Sequence, residues 1–213
     1  MATSKKDEAQ NEKVFKFLKD LELSYGKGTV INAKDKETYG DVIPSTSFSL
    51  NMASGIGGFA KGKIYEIFAD PSSGKSTLSY DIIGNCHKVY KEPCLLIEKE
   101  DSYGSEYGKH LGIDNDLLNI INPETQEEMY EILIKALDTN MFGVIVIDSL
   151  TSFIPKARLF DDSQIMGIEA RVNSSQMRKV INSIQKSKTT LIILQQTRQK
   201  IGCVSLNTEI TIQ

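Results

Sequence analysis

The 213 residues are 40% hydrophobic and 25% charged, a balance that supports one folded domain with a sizeable core and excludes a disordered or fibrous chain. No apolar run approaches the roughly 20 residues a membrane span requires, and the polar, charged residues 1–13 do not read as a secretion signal. A net charge of −3 excludes a blanket electrostatic attraction to nucleic acid. Any such binding must come from a local patch, and nine Lys or Arg stand against three acids between Lys156 and Lys200.

Along the chain, residues 11–23 place Val14, Phe15, Leu18 and Leu21 at helical spacing, predicting a short amphipathic helix whose apolar stripe needs a partner in its own core or on another subunit. Residues 25–51 are mixed and loop-like. Residues 63–68 then read as a buried strand, 75–89 as a helix and 94–97 as the next strand. A short strand follows at 119–121, and Asn122-Pro123 suits the start of a helix running to about Leu137. Residues 143–147 predict another strand, 163–188 contain a helix, and 189–194 a further strand. Strands alternating with helices imply an α/β fold with a mainly parallel sheet covered on both faces. Cys86, Cys94 and Cys203 are scattered without metal or redox spacing, so reduced thiols are expected. His87 and His110 likewise show no ligand spacing and read as ordinary polar residues.

The segment Ala69-Asp70-Pro71-Ser72-Ser73-Gly74-Lys75-Ser76-Thr77 lies between a predicted strand and a predicted helix, the context in which backbone N–H groups converge on phosphate oxygens. Lys75 is expected to reach the β- and γ-phosphates and the Ser76 hydroxyl to ligate Mg²⁺. Ala69 stands where such loops usually begin with Gly, which the turn tolerates if φ stays negative. A carboxylate near the metal should come from a neighbouring strand end. The run Val144-Ile145-Val146-Ile147-Asp148 supplies it, with Asp148 acting on Mg²⁺ through water. Glu98, Lys99, Glu100 and Asp101 follow another apolar run, and this acid cluster offers a base for an attacking water. In the helix after Met166, Arg171, Ser174 and Arg178 share one face, and Met177, Val180, Ile181 and Ile184 share the apolar one. Guanidinium and hydroxyl donors in that pattern suit phosphates and carry no base code.

From about Tyr25 to Gly202 the order of motifs resembles the bacterial RecA recombinase family. Tyr25-Gly26-Lys27-Gly28, Gly55-Ile56-Gly57-Gly58-Phe59 and Gly62-Lys63-Ile64 are similar to its segments before the phosphate loop, and Ser72–Thr77 to the loop itself. Pro155-Lys156-Ala157, Met166-Gly167-Ile168-Glu169-Ala170-Arg171 and Gln176-Met177-Arg178-Lys179 resemble its first DNA-binding loop and the following helix. Gln196-Thr197-Arg198-Gln199-Lys200-Ile201-Gly202 resembles the lead-in to its second.

The resemblance implies a P-loop core spanning 34–202, preceded by a subunit-docking helix within 1–33. It implies ATP and Mg²⁺, filaments on single-stranded DNA, pairing with double-stranded DNA, and a cytoplasmic setting in a bacterium or virus-infected cell. It also implies Glu100 as the general base, Tyr107 as the adenine-stacking side chain and Gln196 as the γ-phosphate sensor. DNA contacts are implied for Met166, Gly167 and Arg198. Gly104 stands where the family has an adenine-contacting Asp, so base selectivity is expected to be relaxed, and the loop 157–166 is slightly shorter than the family's.

A helicase or other motor shares the phosphate loop and Asp148 but not the run 166–179. A non-catalytic regulatory paralogue would be favoured by loss of Lys75 or Glu100, and both are present.

Residues 203–213 depart from the family and resemble the opening of an intein, in which the Cys203 thiol attacks the Gly202 carbonyl. On that reading the C-terminal part of the family fold is supplied by a partner polypeptide. A truncated reading frame with a divergent tail is the alternative.

Overall fold

The computed structural model describes residues 5–34, 40–159 and 168–197, and the chain divides into two compact units meeting at Gly40–Asp41. In the first unit, α1 (Lys5–Tyr25) is longer than the periodicity predicts. It ends where Gly26 takes φ 100° and its N–H donates to Glu22 O at 3.0 Å. That left-handed turn satisfies a carbonyl of the last helical turn.

In the second unit, β1 (Val42–Ile43), α2 (Phe48–Ala53) and β2 (Phe59–Ala60) come first, β1 and β2 forming a small antiparallel pair. Then β3 (Ile64–Ala69), α3 (Lys75–Tyr90), β4 (Cys94–Glu98), α4 (Ser105–His110), β5 (Leu118–Ile121), α5 (Gln126–Thr139), β6 (Val144–Asp148), α6 (Ile168–Ile184) and β7 (Thr190–Gln196) follow. The sheet order is β3-β7-β6-β4-β5, and every pairing is parallel. The predicted architecture is therefore present.

The strands read as unbroken apolar runs because both faces are buried. Leu95, Ile97, Ile145 and Ile147 pack with Met129, Leu133, Val180 and Ile184 of α5 and α6, while Cys94, Leu96, Val144 and Val146 pack with Tyr80, Ile82, Ile83 and Cys86 of α3. Asn173 of α6 fixes the first layer. Its Oδ1 accepts from Gln126 Nε2 at 2.6 Å and from the Tyr130 hydroxyl at 2.7 Å.

Three expectations are corrected. The cap of α5 is Thr125 rather than Asn122: its hydroxyl accepts from Glu128 N at 3.2 Å, while the Glu128 carboxylate reaches back to Glu124 N at 2.9 Å. This reciprocal pairing satisfies two donors at the helix start, which Asn122, three residues upstream, cannot do. Ile181, assigned to the apolar face of α6, is 42% exposed; Val180 and Ile184 point inward. The stretch 25–51, read as loop-like, holds β1 and the start of α2, which is capped by the Ser47 hydroxyl.

Candidate nucleotide site

Parallel register brings the predicted residues to one edge. Ala69 pairs with Gln196 and Glu98 with Asp148, so the carboxyl ends of β3, β7, β6 and β4 meet where α3 begins. Ala69 ends β3 as a strand residue and is absent from the positive-φ positions, meeting the condition on which a methyl is tolerated there. The turn 70–74 is exposed and closes on Gly74, the α3 N-cap, at φ 92°. No side chain caps that end, which leaves the first-turn N–H groups available to an anion. Ser73 Oγ donates to Asp70 O at 2.6 Å and helps shape the loop.

Lys75 is buried, and its ammonium donates to Ala69 O at 3.0 Å and Asp70 O at 2.7 Å. It is stored on the carbonyls of its own loop, close to where phosphates would lie. Ser76 Oγ donates to Asp148 Oδ2 at 2.6 Å, joining the two oxygens assigned to Mg²⁺. Burial raises the Asp148 pKa, the Ser76 bond lowers it, and nearby Glu98 and Glu100 raise it further. A cation beside this cluster would relieve that repulsion. Hard oxygen donors, crowded carboxylates and an uncapped helix end fit Mg²⁺ and a polyphosphate. Tyr107 is 48% exposed, and its hydroxyl lies 3.1 Å from Thr77 Oγ1, fixing the ring next to the start of α3. Glu100 accepts from Ser152 Oγ at 3.0 Å.

Sequence reasoning missed several contacts here. Thr197 N donates to Ala69 O at 3.2 Å, and Thr197 Oγ1 donates to Asp70 Oδ1, tying the residue after Gln196 to the phosphate loop. Gln195 Nε2 donates to Glu66 Oε1. Glu98, fully buried, accepts from Ser102 N and Oγ at 2.9 and 2.8 Å. Its one legible signal was its place at a strand end in the acid cluster.

Chain similarity agrees with this geometry. The model of the RecA N-terminal domain family matches residues 12–213. The chain belongs to the RecA family. It is similar to Protein RecA of Mesoplasma florum, 37% identical over 212 residues, covering 98% of this chain and 63% of that protein. Protein RecA of Campylobacter lari is 38% identical over 194 residues (90% and 56%), and that of Helicobacter pylori strain HPAG1 36% over 199 residues (92% and 57%). The chain thus spans 56–63% of the length of these RecA relatives, and the family match runs through 203–213.

Arg171, Ser174 and Arg178 are exposed on α6. Met166, Gly167, Arg198 and Cys203 lie outside the described residues. Among the described residues, no helix is long and apolar enough to cross a membrane.

Proposed function

We propose that this chain carries the nucleotide site of an ATP-dependent DNA recombinase, which forms filaments on single-stranded DNA and promotes homologous pairing with a duplex. The observation that carries the reading is the Ser76–Asp148 bond at 2.6 Å beside buried Lys75, in a chain of RecA sequence. Mg²⁺, when bound, would supply charge neutralisation between Ser76 and Asp148 as phosphate charge develops. Lys75 moves from the loop carbonyls to phosphate oxygens. Glu100 accepts a proton from the attacking water, Tyr107 stacks on the base, and Gln196 reports the nucleotide state toward residues 198–202. The Gly104 position offers no side chain to the base, which supports relaxed selectivity.

The test is ATP hydrolysis by the full chain with and without single-stranded DNA. Stimulation by DNA is expected. DNA-independent turnover would favour a different motor, and absence of nucleotide binding would sink the reading. The DNA surface has its own test: Arg178→Ala should weaken binding uniformly across sequences and lower the salt slope by about one unit. An unchanged slope removes Arg178 from the interface.

For residues 203–213 the proposal is an intein opening. The Cys203 sulfur attacks the Gly202 carbonyl carbon, the amide C–N bond breaks, and a thioester with a free amine results. Co-expression with a polypeptide carrying the remainder should yield a ligated product containing Met1–Gly202 by intact mass. Its absence removes the intein assignment without touching the nucleotide site.

A further inference from the structure

Glu100 sits on a loop whose other members are anchored. Glu98 closes the turn through its two bonds from Ser102, Asp101 takes φ 49°, and Lys99 Nζ donates to Pro123 O and Glu124 O at 3.2 and 3.3 Å. Glu100 itself is exposed, and an exposed glutamate with three free torsions samples many positions. Among the described residues its carboxylate receives one hydrogen bond, from Ser152.

Ser152 closes the 3₁₀ turn Leu150–Ser152 that follows β6, and its N–H donates to Ser149 O at 3.0 Å. Ser149 is buried, with its hydroxyl 2.8 Å from Ser152 Oγ and 3.2 Å from Thr151 Oγ1. Each hydroxyl has one proton and an ionised carboxylate only accepts, so the direction is determined. Ser152 gives its proton to Glu100, Ser149 gives its own to Ser152, and Thr151 donates to Ser149. The three O–H groups follow one another head to tail, ending on the carboxylate, and polarise one another. The relay runs through Ser149, the residue after Asp148, and its last bond joins Ser152 to Glu100 across 52 positions of sequence, so the metal-side strand end and the base are mechanically linked.

We propose that Ser152 is a positioning residue for Glu100, holding this base beside the nucleotide site through a directional hydroxyl relay from the end of β6. The inference rests on Glu100 acting as the base in the function proposed above. Positioning of this kind acts on turnover and not on nucleotide binding, because Ser152 touches the base and none of the residues assigned to phosphate or metal.

The experiment compares Ser152→Ala, Ser152→Thr and Glu100→Gln in steady-state ATP hydrolysis by the full chain, with amide hydrogen exchange over 99–104 in the absence of nucleotide. Ser152→Ala should lower kcat about tenfold with KM unchanged within about twofold. Ser152→Thr, which keeps the hydroxyl, should recover most of the loss. Exchange over 99–104 should quicken in the alanine variant alone. Wild-type kcat in Ser152→Ala, together with loss of turnover in Glu100→Gln, overturns the inference and leaves the base assignment standing; so does a threonine variant no better than alanine. Full turnover by Glu100→Gln instead removes the base assignment, and this inference with it. Where the chain shows no turnover, exchange decides: equal rates over 99–104 in Ser152→Ala and wild type overturn the tether.

Discussion

Lys75→Ala should reduce nucleotide affinity by about 30- to 150-fold, the range for losing a charge-assisted hydrogen bond worth roughly 2–3 kcal/mol, and hydrolysis by a further factor of about 100 or more. The ammonium is buried and already within bonding distance of Ala69 O and Asp70 O, so little reorganisation separates its resting position from one on phosphate. It is also the cation that lowers the pKa of Asp148 against the opposing effects of Glu98 and Glu100. Its removal leaves the carboxylates at this sheet edge less compensated and repels a triphosphate. Arginine should not rescue, because a planar fork cannot occupy the space of a compact ammonium under the loop. Titration with a fluorescent ATP analogue measures the affinity, and a thermal melt separates lost binding from lost folding. Wild-type affinity in a normally folded Lys75→Ala chain would remove the phosphate loop from the site.

The parts of this molecule that were legible are those in which one physical requirement dominates. Strands buried on both faces must be apolar throughout, so β4, β6 and β7 stand out in 94–97, 143–147 and 189–194. Parallel strands then place their carboxyl ends together, which makes Asp148 and the phosphate loop readable as neighbours although 72 positions separate Ser76 from Asp148. What escaped depends on short elements and local competition. The two-residue strands β1 and β2 carry no period, and α4 has only six residues, with Gly108 packed against Tyr103. At α5, Asn122 and Thr125 both suit a cap, and the choice is made by Glu128 three residues beyond Thr125. The Ser152–Glu100 and Thr197–Asp70 contacts require turn geometry that no spacing rule supplies.

Gly84→Ala separates propensity from packing, because the two predict opposite signs. Inside a helix alanine is favoured over glycine by about 1 kcal/mol, so α3 considered alone should gain stability. In the folded chain, a Cβ at Gly84 would lie 2.3 Å from Leu111 O and 3.0 Å from Gly112 C. These are backbone atoms, and they are held: Leu111 N donates to Tyr107 O and Gly108 O, Gly112 N to Lys109 O, and Ile113 N to Gly108 O. Relief requires the segment after α4 to move as a unit, withdrawing Ile113, which is 4% exposed, from its core with Ile82 and Ile83. An overpacking cost of about 3 kcal/mol exceeds the propensity gain and leaves a net loss of about 2 kcal/mol, or roughly 4–8 °C in Tm for a chain of this size. The displacement also bears on function, since α3 begins at Lys75 and α4 carries Tyr107, whose hydroxyl meets Thr77. Nucleotide KM should therefore rise in the folded fraction. Gly104→Ala is the control: φ is −104° and its Cβ would meet Tyr107 Cβ at an ordinary 3.8 Å, so its Tm should match wild type. A Gly84→Ala chain melting at or above wild type would mean that the α3–α4 approach is looser than these distances require.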